Sequence, residues 1–282
     1  MTLTPLLPLM YEPLVRTALL EDLGRAGDIT ADAIVPADQR ASLALRARQP
    51  GVVAGLDVAR CAFQTISPAI RIEIERPDGS VVTPGDTIAT INGPARPLLT
   101  GERTALNFLC HLSGVATATA SLVSAVKGTR AQIVCTRKTT PGLRALEKYA
   151  VRAGGGSNHR FGLDDAVLIK DNHIALAGNI RTAIERAKAH VGHLVKVEVE
   201  VDTLAQLEEA LALGIDAVLL DNMTVDDLRQ AVAMASGKVI TEASGRITAT
   251  TAPAIAATGV DLISVGWVTH SSAALDIGLD YL

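Results

Sequence analysis

The second half of the chain carries a rhythm that few folds can satisfy. Apolar runs of strand length, Gln132–Cys135, Ala166–Ile169, Leu194–Val199, Ala217–Leu220, Lys238–Thr241 and Asp261–Val265, alternate with segments of helical character. Continuous β-branched runs separated by helices predict parallel strands buried on both faces. Two of the helices have clear stops: Thr203–Leu213 runs into Gly214, and Thr224–Ala235 ends near Gly237. The residues leaving the strands are Arg137 with Lys138, Lys170, Glu200, Asp221, Ser244-Gly245 and Gly266, spaced 21 to 33 residues apart. Each interval fits one strand–helix unit, and a right-handed series of such units curls into a barrel with its strand exits on one rim. The six runs predict an open, incomplete α/β barrel rather than a closed eight-stranded one.

The rim sorts by chemistry. Arg137, Lys138, Arg160 and Lys170 are cations suited to carboxylates and phosphates; arginine can grip either bidentately, while lysine acts as a point charge. Glu200 and Asp221 could hold a divalent cation whose shell is completed by phosphate oxygens. Ser244-Gly245 and Gly266 follow the last two strands, where barrels often bind phosphate through bare backbone N–H groups. Together these parts predict a site for a sugar phosphate and a second anion, with Mg²⁺. His159 lies beside Arg160 in the glycine-rich stretch Gly154-Gly155-Gly156-Ser157-Asn158-His159-Arg160. A single charged residue after a strand is usually a solvated loop residue, and a lone histidine is usually structural. The case for a site is that every strand exit is charged, serine or glycine.

Charge supports the same reading. Lys and Arg number 26 against 30 Asp and Glu, a net charge of −4. Residues 137–170 run the other way, with seven basic side chains against three acidic ones. An acidic chain with one concentrated basic segment suits a small polyanionic ligand and argues against nucleic acid or an anionic membrane as partner. Aromatic residues are only 2% of the chain, so stacking platforms for bases are scarce. Cys61, Cys110 and Cys135 form no CxxC pair and read as free thiols in a reducing compartment. The opening MTLTPLLPLMYEPLV lacks a basic segment, so it does not read as a signal peptide. No uninterrupted apolar run approaches the ~18 residues of a membrane span. The expected location is the cytoplasm.

The first half has a different grammar. A helix over Pro13–Leu23 is followed by strand-like pieces at Ala41–Arg48, Val52–Ala54, Ile70–Glu75, Val81–Val82 and Thr87–Ile91. Turn signals such as Gln49-Pro50-Gly51, Pro77-Asp78-Gly79 and Asn92-Gly93-Pro94 separate them, which predicts an α+β unit with an antiparallel sheet. One or two helices are expected between Gly101 and Lys127. The hairpin at Asp78-Gly79 is similar to those of biotinyl and lipoyl carriers, but no lysine precedes Lys127 to act as acceptor.

The segment TRKTTPGLRALEKYAVRAGGGSNHRFGLDDAVLIKDNHI (Thr136–Ile174) resembles the signature stretch of the quinolinate phosphoribosyltransferases. Further matches are EDLGRAGDIT (Glu21–Thr30), PGVVAG (Pro50–Gly55), GERTALNFLCHLSGVAT (Gly101–Thr117), VEVEV (Val197–Val201), LLDNM (Leu219–Met223), EASGRI (Glu242–Ile247) and GVDLISVG (Gly259–Gly266). The resemblance implies an N-terminal α/β sandwich domain over 1–113, with 270–282 packing back on it, and an incomplete α/β barrel over 114–269. It implies a homodimer with shared active sites, in which the partner's Arg103 enters the site, and assembly to hexamers in some members. The implied reaction joins quinolinate to 5-phosphoribosyl 1-pyrophosphate and gives nicotinate mononucleotide, pyrophosphate and carbon dioxide. On this resemblance Thr136, Arg137, Lys138, His159, Arg160 and Arg103 surround quinolinate, and Lys170 lies between substrate and pyrophosphate. Glu200 and Asp221 orient the ribose and, through substrate or water, Mg²⁺. Ser244, Gly245, Arg246, Ser264, Val265 and Gly266 hold the 5-phosphate. Lys138, Lys170, Glu200 and Asp221 are the expected catalytic groups. Arg246 stands where many members carry a second glycine. Rival readings are a paralogous family linked to molybdenum transport, a Schiff-base aldolase using Lys138 or Lys170, a glycosidase using Glu200 and Asp221, and a non-catalytic phosphometabolite sensor.

Overall fold

Turn signals cut the first half into short strands, and the structure, a computed structural model describing residues 3–282, assembles most of them into one antiparallel sheet. The elements in order are α1 (Glu12–Leu23), α2 (Ile29–Ile34), β1 (Arg40–Ala47), β2 (Gly51–Val52), α3 (Leu56–Ile66), β3 (Arg71–Ile74), β4 (Val81–Val82), β5 (Thr87–Pro94) and α4 (Ala95–Ala125). α1 starts with proline in its first turn and buries Val15 and Leu19, one turn apart. The Asp28 side chain accepts from the Ala31 N–H at 2.9 Å and starts α2. β5 pairs antiparallel with β1 and with β3, and a last strand, Ile277–Tyr281, pairs with the other edge of β1. β2 and β4 form a separate two-stranded ribbon.

α4 is one continuous helix, long and apolar enough by length and composition to cross a membrane. Two of its polar side chains, however, bond to the strand region it packs on. Ser113 Oγ accepts from the Ala54 N–H at 3.0 Å and Thr117 Oγ1 from the Val52 N–H at 2.9 Å. At Gly114 any side chain would collide with the backbone of Ala273 and Ala274. These contacts make it a core helix of the first unit.

The chain continues with β6 (Gln132–Val134), α5 (Arg144–Ala153), β7 (Val167–Ile169), α6 (Asp171–Ala177), α7 (Ile180–His190), β8 (Val197–Val201), α8 (Leu204–Ala212), β9 (Ala217–Asp221), α9 (Val225–Ala235), β10 (Ile240–Ser244), α10 (Ala252–Ala256), β11 (Leu262–Ser264), α11 (Trp267–His270) and β12 (Ile277–Tyr281). β6 to β11 form a six-stranded parallel sheet in the order β6-β11-β10-β9-β8-β7. The last strand returns to the first, while β6 and β7 do not pair, so the sheet is open there. By contacts, one unit is the chain up to Ala120 with Thr140–Gly155 and Thr269–Leu282, and the other is Ser121–Thr139 with Gly156–Val268. The unit change in the first crossing therefore lies inside α4, seven residues beyond the boundary read from sequence, and 140–155 groups with the first unit.

Two strands sit further along than the apolar runs suggest. The run Leu194–Val199 contributes to β8 only from Val197, with Leu194 84% exposed, and β8 extends to Val201. Likewise β10 is Ile240–Ser244, not Lys238–Thr241. The reason is the alternation of a strand's two faces. In β8, Val197, Val199 and Val201 are all buried on one side, while the other side carries Glu198 and Glu200. Asp221 and Ser244 are accordingly the last residues of their strands and Glu200 the next to last of β8, rather than loop residues after the strands.

Candidate active site

The gap between β6 and β7 is filled by the glycine-rich segment. Gln132 and Val134 bond toward β11, leaving the other edge of β6 free. Ser157 takes that edge: its N–H donates to the Ile133 carbonyl at 2.8 Å, and its carbonyl accepts from the Cys135 N–H at 3.2 Å. The next residues, Asn158, His159 and Arg160, are thereby carried past the end of β6. Asn158 Oδ1 accepts from Cys135 Sγ at 3.3 Å.

Arg160 feels the charge of Arg137. Its pKa is lowered, first by burial and then by the Arg137 charge. Arg160 Nη1 donates to the Ala166 carbonyl at 2.8 Å. The Nε of Arg160 and the Nε of Arg137 are each buried with no hydrogen-bond partner among the described residues. Two guanidiniums that feel each other's charge, each with an unspent buried donor, suit an anion with two oxygens. The loop after Arg160 is folded by Asp165, whose carboxylate accepts from the N–H groups of Phe161 and Gly162 at 2.6 and 3.0 Å.

The other rim groups connect in two sets. Lys170 Nζ lies 3.2 Å from Glu200 Oε2, across the β7–β8 pair. The Lys170 N–H donates to His173 Nδ1 at 2.9 Å, which fixes the start of α6. Burial pushes the Glu200 carboxyl up; Lys170 opposes this, and the Asp221 and Asp171 charges add to it. Asp221 stands opposite Ser244 in the β9–β10 register and accepts from Asn222 Nδ2 at 2.6 Å. On the far side, a side chain at Gly266 would meet Lys138 Cδ at 2.9 Å and Thr136 Oγ1 at 3.3 Å, so the exits of β6 and β11 touch. Thr136 Oγ1 accepts from the Lys138 N–H at 3.0 Å. Glu200 and Asp221 offer hard oxygen donors, but Glu200 is already paired with Lys170. That set fits a divalent cation held through substrate or water rather than a dedicated cage.

The exits of β10 and β11 are built differently. Gly245 has φ +116°, and a side chain there would strike Asn222 Oδ1. Arg246 follows with φ +48°, also left-handed, and is exposed. At the end of β11, Ser264 is 5% exposed and its Oγ donates to the Ala243 carbonyl at 3.4 Å. The Val265 N–H is spent on the Val134 carbonyl at 2.9 Å, so Val265 has no main-chain donor to offer a ligand. Arg103 lies elsewhere, at an exposed position of α4 in the first unit.

His159 is occupied on both ring nitrogens. The Arg160 N–H donates to Nδ1 at 2.8 Å. A backbone N–H can only donate, so Nδ1 is the acceptor and the ring proton sits on Nε2. Nε2 faces Glu198 Oε2 at 2.9 Å and Glu242 Oε2 at 3.5 Å. One potential ligand atom from each of these three residues lies within 4.8 Å of the others. With a proton on Nε2, the arrangement is a hydrogen-bonded cluster rather than a metal cage. Glu198 and Glu242 were absent from the residues singled out by sequence. Their signal was available: a glutamate inside a valine strand, VEVEV, and one at the start of EASGRI. Polar positions within apolar strand runs face a barrel interior rather than a helix layer.

Cations and carboxylates at the ends of parallel strands, with glycine turns beside them, define an α/β-barrel that binds multiply charged small molecules. Comparison with known proteins narrows this class. The family described as quinolinate phosphoribosyl transferase matches through its N-terminal domain at residues 28–113 and its C-terminal domain at 115–280. The nicotinate-nucleotide pyrophosphorylase [carboxylating] of Mycobacterium leprae (strain TN) is 46% identical over 271 residues, covering 94% of this chain and 95% of that protein. The probable enzyme of the same name from Bacillus subtilis (strain 168) is 43% identical over 272 residues, covering 96% and 93%. The solved nicotinate-nucleotide pyrophosphorylase from Francisella tularensis superposes with a TM-score of 0.95 at 40% identity, covering 100% and 99% of the two chains. The chain belongs to the quinolinate phosphoribosyltransferase family.

Proposed function

We propose that the protein transfers the 5-phosphoribosyl group of phosphoribosyl pyrophosphate to quinolinate with loss of carbon dioxide, forming nicotinate mononucleotide for de novo NAD synthesis. The observation that carries this reading is the Arg137–Arg160 pair, with its two buried, unspent Nε donors. Quinolinate is a dicarboxylate on a neutral ring, and paired guanidiniums match carboxylate oxygens in charge and geometry. Lys138 and Lys170 add point charges beside the carboxylates and the leaving pyrophosphate. Glu200 and Asp221 face the ribose, and Ser244, Gly245 and Gly266 receive the 5-phosphate.

The pyridine nitrogen attacks C1 of the ribose as the C1–O bond to pyrophosphate breaks. Positive charge grows on the ribose and negative charge on the departing pyrophosphate. Glu200 and Asp221 stabilise the first, Lys170 the second. Glu200 and Asp221 would hold Mg²⁺ through substrate or water, and the ion would supply positive charge to the pyrophosphate leaving group. The first product is a pyridinium; when the adjacent carboxylate leaves as carbon dioxide, the electron pair stays on C2 and the neighbouring cationic nitrogen stabilises it as an ylide. A proton from water then closes the carbanion at C2. Quaternary structure belongs to the same proposal: a cytoplasmic homodimer in which the partner's Arg103 completes the quinolinate pocket.

The test is a product assay with purified protein, quinolinate, phosphoribosyl pyrophosphate and Mg²⁺, reading nicotinate mononucleotide by mass spectrometry. Product should form, and should vanish without Mg²⁺ and in Arg160→Ala. Absence of product from the wild type, with nicotinate equally inert, sinks the reading.

A further inference from the structure

Two carboxylates lie deeper in the barrel than the rim groups. Glu198 is on β8, on the same face as Glu200 but two residues earlier, and Glu242 is two residues before Ser244 on β10. They are 8% and 1% exposed. Burying carboxylates is costly, and apolar side chains of similar volume would stabilise the barrel at least as well. Their placement therefore asks for a reason beyond packing. Both converge on the same atom, His159 Nε2, and the opposite ring nitrogen holds the Arg160 N–H.

Arg160 needs such a hold. It lies in a segment without helix or strand, between the Ser157 bridge and the Asp165 turn. Its guanidinium is repelled by that of Arg137, is drawn by the Asp165 and Glu198 charges, and donates to the Ala166 carbonyl. The link Glu198–His159–Arg160 ties this segment to a strand inside the sheet. We propose that Glu198, seconded by Glu242, is a positioning residue that acts through the His159 ring to aim Arg160 at a substrate carboxylate. The inference rests on the reading of Arg160 as a quinolinate-binding group.

The experiment uses the full chain and the variants Glu198→Ala, Glu198→Gln, His159→Ala and the double Glu198→Ala/His159→Ala. KM for quinolinate and KM for phosphoribosyl pyrophosphate are measured separately, with binding of phthalate, the corresponding benzene dicarboxylate, as a turnover-independent probe. Glu198→Ala should raise KM for quinolinate and weaken phthalate binding by about tenfold or more, with KM for phosphoribosyl pyrophosphate within about twofold. Glutamine keeps an acceptor for Nε2–H, so Glu198→Gln should recover most of the loss. The double variant should be no worse than the worse single one, because both break one link. Equal rises in both KM values, additive effects or no rescue by glutamine would overturn the proposal. ¹⁵N-resolved spectra of the histidine rings provide a readout that does not depend on the substrate. They should show His159 as the Nε2–H tautomer in the wild type and a changed ring in Glu198→Ala; a wild-type Nδ1–H ring overturns the link. A wild type that neither turns over quinolinate nor binds phthalate, yet keeps the Nε2–H ring, overturns the substrate reading and this role with it while leaving the link intact.

Discussion

Arg246 holds a backbone conformation that its side chain makes costly. With φ at +48° it sits in the left-handed region, where Cβ crowds the following carbonyl, directly after Gly245 at φ +116°. This explains why a glycine suits the position that the sequence gives to arginine. Arg246→Gly should raise stability by about 0.5–1 kcal/mol, the relief of strain exceeding the added freedom of the unfolded chain. Urea unfolding of the two proteins checks it, and an unchanged or lower midpoint would contradict the strain argument. Glu242 makes a second prediction at this scale. Burial, then the Glu198 charge, pushes its carboxyl up to about 7, with His159 opposing. The native state thus holds a proton that the unfolded chain gives up near the ordinary carboxylate value. As pH rises between those values, the unfolded state binds fewer protons than the native one, so stability falls. Glu242→Gln removes this slope: its gain over the wild type should be larger at pH 8 than at pH 5, by up to about 3 kcal/mol. Denaturation curves at the two pH values read the difference directly, and parallel behaviour of the two proteins would rule it out.

At the scale of elements, the C-terminal strand has the clearest consequence. β12 covers the edge of β1 over Leu43–Ala47, and the chain before it is pinned by the Leu275 N–H on the Cys110 carbonyl at 2.9 Å. Truncation before Ile277 strips that edge and exposes its unpaired N–H and C=O groups, a template for pairing with other chains. The shortened protein should melt several degrees lower and aggregate on heating; light scattering alongside a thermal scan would detect both, and an unaltered melt would show β12 to be dispensable. This strand was not foreseen in sequence, because IGLDY is short and charged and acquires its meaning only from β1. The six parallel strands were legible, since β-branched runs at regular intervals leave few alternatives. Polarity inside the strands hides the rest: Glu198, Glu200, Asp221, Glu242 and Ser244 lie within or at the ends of strands, so the apolar runs do not mark the strand ends and two buried glutamates look like solvated ones in the sequence. The cations were visible because loops and strand ends carry them in the open. The tie from Glu198 through His159 to Arg160 was not, since it links residues 39 apart in sequence through a ring whose tautomer only the hydrogen bonds reveal.

For the whole molecule, the question is how many chains make one site. Arg160 belongs to the unit that carries the parallel sheet and Arg103 to the unit that carries the antiparallel one. If the proposed homodimer shares its sites, each pocket draws Arg160 from one protomer and Arg103 from the other. The two arginines can then be removed on separate chains. Arg103→Ala and Arg160→Ala homodimers should each be nearly inactive, since every pocket lacks one guanidinium. Mixing them with reversible dissociation gives half heterodimers. In each heterodimer one pocket combines the two intact arginines and the other lacks both. Activity should therefore rise to about a quarter of the wild-type value. The recovery should follow the rate of subunit exchange and be lost when exchange is blocked by cross-linking the homodimers beforehand. A site built wholly within one chain gives no recovery at any mixing ratio, because neither parent ever carries an intact pocket. The complementation assay therefore tests the shared site, whereas a molecular mass alone would report only that chains associate.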